Sequence, residues 1–334
     1  KGSGLSSSSA FVCGSAVSLL YSNLDKNYFT KTLTQSDVAS FCIKCEQEVG
    51  VMSGGMDQTI CMTANKGYAK HIQFIPKLNA DDVQLPSSDK VRWIIANCLL
   101  EHKLQDEGGT QNYNTRVVEC RLSSLLLAKK LNIKDWKTGI KTFRNIMDKS
   151  GLSLSELFTK SNELLSDEPY SIETLEKELE CSPLEDIMKD LSRGEMVLKN
   201  LRNLKYKLPL KARTLHVYGE ANRVLQFKNV CDNDRDESRL GELMNKSHES
   251  CRDSYECSCK ELDSLQSNCI KAGSLGSRLT GAGWGGCVVS IVPMDKVDGF
   301  EKFLKENYYK NIKDVPDDAI FTTSPNAGLS VLTV

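Results

Sequence analysis

Three short runs in this 334-residue chain combine residue types and spacings that could do chemistry. The first is Gly2-Ser3-Gly4-Leu5-Ser6-Ser7-Ser8-Ser9-Ala10, which leads directly into an apolar-periodic segment. Glycines let a backbone approach a phosphate closely, and the first N–H groups of the following helix, with its dipole, favour an anion there. Serine hydroxyls at such a turn can donate to phosphate oxygens or ligate Mg²⁺. The same run also fits a Gly/Ser linker or a serine-rich N-cap. The second is a carboxylate pair, Glu46 and, eleven residues later, Asp57 in Ser53-Gly54-Gly55-Met56-Asp57-Gln58. One carboxylate on a helix and one on a glycine turn can converge on a cleft. There one serves a divalent ion that wants few, hard oxygen ligands, and the other takes or orients a hydroxyl proton. Read singly, Glu46 is a solvated helix face and Asp57 a turn residue. The third run, Gly276 to Cys287, holds five glycines in the eleven positions up to Gly286. That density points to a loop closing over a site, Gly281 and Gly283 above all, with a purely structural hairpin as the plainer reading.

These groups need elements to hold them. Leu5, Phe11, Val12, Ala16, Leu19 and Leu20 keep helical spacing from Ser6 to about Tyr21, and Val38, Phe41, Cys42 and Cys45 do so from about Gln35 to Val49. Gln58–Thr63 and Tyr68–Ile75, joined by Lys66-Gly67, read as a hairpin. Pro76–Asp89 is polar and carries two of the eight prolines, so the domain boundary is placed there: residues 1–90 form one lobe and 91–334 the other. Val91–Leu99 reads as a buried strand and Asn112–Leu131 as a strong helix. A charged helical layer fills about 135–207, cut by Pro169 and Pro183, and Arg213–Phe227 and Leu240–Asp253 are further helices. The end is β-rich: a glycine turn over Gly276–Gly286, a strand Cys287–Val292, a helix Val297–Tyr308, then Ala319–Thr323 and Leu329–Val334.

Bulk composition sets outer limits. The chain exceeds the roughly 250–300 residues at which single cores stop growing, so two lobes are expected. With 40% hydrophobic and 26% charged residues, and 43 Lys+Arg against 44 Asp+Glu, it reads as an ordinary soluble domain pair with no nucleic-acid or membrane-surface footprint. No apolar run reaches the roughly 18–20 residues of a membrane span, and a cytoplasmic location is expected. The 13 cysteines are odd in number and scattered, which fits reduced, mostly buried thiols. Cys42 with Cys45, and Cys251, Cys257 and Cys259 near His248, lack the knuckle spacing of a zinc site.

Taken in order, Gly4-Leu5-Ser6-Ser7-Ser8, Gly54-Gly55-Met56-Asp57-Gln58 and Arg278-Leu279-Thr280-Gly281-Ala282-Gly283-Trp284-Gly285-Gly286 resemble the phosphate loop, carboxylate turn and late glycine motif of GHMP kinases in their galactokinase form. Tyr113-Asn114-Thr115-Arg116-Val117-Val118-Glu119-Cys120 and Ser247–Cys259 are similar to that family as well, so the likeness spans nearly the whole chain. It implies an α+β, two-lobed kinase: an N-terminal lobe like the ribosomal S5 domain, incomplete here, and a ferredoxin-like C-terminal lobe with a helical insertion. It further implies an ATP-dependent sugar 1-kinase using Mg²⁺, acting as a monomer on galactose or N-acetylgalactosamine. Asp57 would be catalytic, Gly4, Leu5, Ser6, Ser7, Ser8 and Ser9 would bind ATP, Gly55, Asp57 and Tyr113 would bind sugar, and Ser8 and Glu46 would hold the metal. The family's sugar-gripping Arg, Glu, His and Asp motif would stand upstream of Lys1, and a longer natural chain is expected. Leu240–Leu265 and Val224–Phe227 look closest to N-acetylgalactosamine kinases, whereas Tyr113 favours galactokinases proper. A galactokinase-like sensor that signals by protein contact is the competing expectation, with the intact serines and Asp57 favouring the enzyme.

Overall fold

The computed structural model describes residues 5–25, 31–49, 54–87, 89–100 and 107–331. Contacts divide the chain into two compact units. The first takes Lys1–His102, Gln226–His248 and Cys257–Val334, and the second takes Lys103–Leu225 and Glu249–Glu256.

The first unit opens with three helices, α1 (Ser7–Asn23), α2 (Gln35–Val49) and α3 (Met56–Thr63). Cys13, Ala16 and Val17 of α1, Val38, Ala39 and Cys42 of α2 and Met62 of α3 form their shared core. Both long helices match the sequence reading. The third does not, because Gln58–Thr63 was expected as a strand and is helical. Its two threonines are β-branched, but each sends its hydroxyl to the carbonyl four residues back, Thr59 to Gly55 at 2.8 Å and Thr63 to Thr59 at 2.7 Å, which settles a β-branched residue in a helix. The strand β1 (Tyr68–Gln73) therefore pairs with β2 (Asn79–Gln84), in register from Tyr68↔Gln84 to Gln73↔Asn79. That second strand lies inside the stretch read as a polar connection. Only Val83 of β2 is buried, so no apolar alternation announced it.

The same unit carries a four-stranded antiparallel sheet of β3 (Val91–Asn97), β4 (Gly276–Leu279), β5 (Cys287–Pro293) and β6 (Ile320–Thr323), in the spatial order β4-β5-β3-β6. With a helix before β4 and another between β5 and β6, this is the ferredoxin-like β-α-β-β-α-β arrangement. Residues Gly276–Leu279, expected as the opening of a glycine turn, are a strand. Gly241 and Gly276 explain part of that glycine use, since a methyl on Gly241 would run into the Leu275 carbonyl carbon and one on Gly276 into the backbone of Gly241. The expected terminal strand Leu329–Val334 is not formed over Leu329–Val331, and its last three residues lie outside the described ones. Gly328 N–H instead donates to Ala64 O at 2.9 Å and Leu329 N–H to Cys61 O at 2.7 Å, satisfying carbonyls at the end of α3.

The second unit is helical around α4 (Glu107–Lys130). Leu122, Ser123, Ser124, Leu125, Leu126, Leu127 and Ala128 are all buried, so over this stretch the helix is enclosed on every face and central. About it pack α5 (Trp136–Gly139), α6 (Phe143–Ser150), α7 (Leu154–Leu164), α8 (Ile172–Leu179) and α9 (Gly194–Asn203), together with the first part of α10 (Leu210–Asn229). Ser153 caps α7, accepting from Glu156 N–H at 3.3 Å while Glu156 accepts from Ser153 N–H at 2.8 Å, a reciprocal box. The helices α11 (Glu237–Asp253), α12 (Lys260–Lys271) and α13 (Val297–Asn307) complete the chain.

Candidate active site

At the head of α1, Ser6 sits in the left-handed region at φ 62°, ψ 31° and makes no side-chain cap bond. The first helical backbone bond is Ala10 N–H to Ser6 O at 3.0 Å. The N–H groups of Ser7, Ser8 and Ser9 therefore precede the helical ladder and face out of its positive end, and no acidic residue stands in that turn. Such an end suits a phosphate. Leu5, Ser7 and Ser8 are exposed, Ser6 half-buried. Gly4, like Gly2 and Ser3, lies outside the described residues.

Ser9 behaves differently from its neighbours. It is buried, and its hydroxyl donates to Glu46 Oε2 at 2.9 Å. Helical phase explains this, because Ser9, Cys13, Ala16 and Val17 are the buried positions of α1. The periodicity could have singled Ser9 out, whereas the sequence reading paired Glu46 with Ser8 and gave Ser9 only a place in the ATP loop. Gln58 was not singled out at all. Its Nε2 donates to the same Glu46 oxygen, so hydroxyl, carboxylate and amide from three helices meet at one point. Gln58 is 1% exposed, and its Oε1 is a buried oxygen with no hydrogen-bond partner. A carboxylate beside an orphaned amide oxygen and an exposed serine helix end forms a hard-oxygen set, which fits a Mg²⁺ ion carried by phosphates.

Asp57 lies next to Gln58, in the first turn of α3 and half-buried. Gly55 ahead of it has φ 91° and ψ 7°, and a Cβ there would stand 2.7 Å from Ile43 Cγ1. Glycine is thus required twice over at the turn that presents Asp57, by conformation and by packing. Ser53 falls outside the described residues.

The late glycine motif serves partly to pack its own unit. Gly281, Gly283, Gly285 and Gly286 all have positive φ, as does Trp284. Gly283 is buried, with its would-be Cβ 2.9 Å from the Cys257 carbonyl carbon, and Trp284 N–H donates to Cys257 O at 2.7 Å. Cys98 N–H reaches Gly286 O at 2.8 Å, and Gly286 N–H reaches Leu100 O at 3.1 Å. Gly281 is exposed. Nearby, His248 accepts the Leu279 N–H on Nδ1 at 3.2 Å and places Nε2 3.2 Å from Asp263, so its ring serves the sheet edge.

In the second unit, Tyr113 is half-buried on α4. The stretch it begins meets Ser254, Tyr255 and Glu256 through a buried charge cluster. Arg213 Nε donates to Glu119 Oε2 at 2.7 Å, its Nη1 to Ser254 O at 2.6 Å and its Nη2 to Glu256 Oε2 at 2.7 Å. Arg116 donates to the same Glu119 oxygen at 2.8 Å and to Tyr255 O at 2.7 Å. Burial alone would lower the Arg213 pKa, but Glu119 and Glu256 hold it above its ordinary value. Tyr255 also stacks on His216 at 4.4 Å between ring centres.

Residues 1–65 match the family described as GHMP kinases N terminal domain, and residues 227–310 match GHMP kinases C terminal. A galactokinase of Dictyostelium discoideum is 37% identical, over 99% of this chain and 68% of its own length. The chain belongs to the galactokinase family of GHMP kinases. Another member of that family, a galactokinase of Saccharomyces cerevisiae, is 31% identical over 98% of this chain and 68% of its own. The crystal structure of Lactococcus lactis galactokinase complexed with galactose shares the fold at a TM-score of 0.66 and 23% identity, covering 98% of this chain and 67% of that one. The two GHMP matches hold the serine helix, Glu46, Asp57 and the glycine motif, whereas the helical layer between them falls in neither match. Among the described residues no helix of this galactokinase-family chain is long and apolar enough to cross a membrane.

Proposed function

We propose that this galactokinase-family chain carries the phosphoryl-transfer machinery of an ATP-dependent sugar 1-kinase, acting on the anomeric hydroxyl of galactose or N-acetylgalactosamine. The observation that carries the reading is the meeting of Ser9, Glu46 and Gln58 beside Asp57 and the open end of α1. In this mechanism the N–H groups and hydroxyls of Ser6, Ser7 and Ser8 bind the ATP phosphates. Glu46 and Ser8 hold the metal, with Ser9 and Gln58 fixing the rotamer of Glu46. Bound Mg²⁺ supplies charge neutralisation for the phosphates. Asp57 accepts or orients the proton of the C1 hydroxyl for in-line attack, and Gly55 permits the close approach. Tyr113 is assigned to the sugar, and Gly281 with Gly283 to a closing loop, on motif resemblance alone. A cytoplasmic place and small-molecule partners, ATP and sugar, belong to the same reading.

The decisive measurement is MgATP-dependent phosphorylation of galactose, N-acetylgalactosamine and glucose by the natural full-length protein. Sugar 1-phosphate is expected from one or both galacto-sugars and not from glucose. ATP and sugar binding without turnover on any of them would replace the enzyme with a sensor. A second expectation concerns Gln58: Gln58→Leu should raise the half-saturating Mg²⁺ concentration by about 10–100-fold, the usual cost of losing a group that orients a metal ligand. A Mg²⁺ titration of initial rates checks it, and an unchanged midpoint would remove Gln58 from the metal site.

A further inference from the structure

Three thiols meet directly behind the Ser9–Glu46–Gln58 junction. Cys13 of α1 and Cys42 of α2 are fully buried, while Cys61 of α3 is partly exposed. Cys13 and Cys42 share one core and Cys61 packs against it, and the Cys13 sulfur lies 3.8 Å from the Gln58 carbonyl oxygen. All three are free. We infer that Cys61 and Cys13 form a peroxide-sensitive modification site, in which Cys61 is oxidised first and Cys13 resolves it to a disulfide between α1 and α3. The chemistry of the bond stands apart from the kinase reading, whereas its effect on turnover rests on that reading.

Exposure and contact assign the roles. Cys61 is the member of the trio that a small oxidant can reach, and Cys13 is a fully buried member of the core against which it packs. The hydrogen bond from Cys13 holds the Cys61 thiol below its usual range against burial and the nearby charges of Asp57 and Glu46, which favours the nucleophilic thiolate. The step balances with hydrogen peroxide as oxidant. The Cys61 thiolate attacks one peroxide oxygen, an S–O bond forms, the O–O bond breaks, and the departing hydroxide takes a proton to become water. The Cys13 sulfur then attacks the Cys61 sulfur, the S–S bond forms, the S–O bond breaks, and the second hydroxyl leaves as water with the Cys13 proton. Two thiols have lost two electrons and two hydrogens, and one peroxide has become two waters.

Position gives this bond a consequence. Cys13 stands one turn after Ser9 on α1, and Cys61 one turn after Asp57 and Gln58 on α3. Closing the two sulfurs to a bond of about 2.05 Å draws those two turns together and displaces the groups that hold Glu46. The expected loss is about 10²-fold, the cost of moving positioned groups by roughly 1 Å.

The test is peroxide treatment of the full chain, followed by intact mass, a non-reducing peptide map and activity before and after dithiothreitol. The expected result is loss of two hydrogens, a Cys13–Cys61 linked peptide, and turnover lost and then restored by reduction. Cys61→Ser, a partly exposed position, should abolish the cross-link and the peroxide sensitivity together, and Cys42→Ser should retain both. A cross-link confined to Cys98 and Cys259, or oxidation of Cys61 without any cross-link, overturns the proposal. If the linked peptide forms in a protein that phosphorylates no sugar, the site stands and the kinase reading fails.

Discussion

Asp57→Asn is expected to lower turnover by about 10²–10⁴-fold while MgATP binds within a few-fold of wild type, because general-base assistance carries roughly that much rate. The barrier rises by about 3–5 kcal/mol, far more than a solvated turn residue could contribute. Phosphoryl transfer asks the protein mainly for positioning and charge neutralisation. The open N-terminal end of α1 and the Glu46 junction are intact in the variant, so the loss should appear in kcat and leave nucleotide affinity alone. Asparagine keeps the shape of the side chain on the Gly55 turn and removes the acceptor charge. Rapid-quench kinetics with galactose and N-acetylgalactosamine, alongside calorimetric MgATP titration, separate the two quantities. Wild-type kcat in Asp57→Asn would leave the family membership untouched and remove the catalytic assignment.

The largest effect on stability is expected at Glu119. Its side chain and that of Arg213 are both 0% exposed, and Arg116 shares the same carboxylate oxygen. Glu119→Gln keeps the volume and deletes the charge, leaving two buried guanidinium groups with Glu256, half-exposed, as the remaining carboxylate of the cluster. Breaking a buried pair by neutralising one partner costs about 3–5 kcal/mol. A lower urea midpoint with unchanged slope is the expected result. A double-mutant cycle with Arg213→Met should then show that the two changes are far from additive. A midpoint shift under about 1 kcal/mol, the range of an exposed pair, would show that water reaches the cluster.

Helices with a strong apolar stripe were legible in the sequence. Gln35–Val49 is a helix over the bounds expected, and the buried strand expected over Val91–Leu99 is formed over Val91–Asn97. What failed was whatever depended on partners distant in sequence. Thr59 and Thr63 have strand propensity, but tertiary burial of Gln58, Thr59, Met62 and Thr63 follows a helical period. β2 pairs at an edge with only Val83 inside, so local pattern had nothing to mark it. At the site, the apolar phase of α1 could have marked Ser9 as the inward hydroxyl, but not the group it would meet. Only the phase of α1 against α2 sends Ser9 to Glu46, and Gln58 carried no signal beyond lying next to Asp57. The Arg213 cluster was invisible for the same reason, since its members come from stretches around 116–119, 213 and 254–256.

The placement of β3 has a kinetic consequence. This strand pairs with β5 on one side and β6 on the other, from Val91↔Pro293 to Ala96↔Ile320. Both neighbours are made about 200 residues later, after the whole helical unit has left the ribosome. Most of that unit, Lys103–Leu225, is continuous in sequence and can fold during synthesis, while the apolar residues Val91, Ile94, Ile95 and Ala96 wait with both edges unpaired. Nascent chains stalled before residue 287 should therefore protect the 113–225 helices from proteolysis yet leave β3 available to chaperones, with its protection arriving only as residues 287–323 emerge.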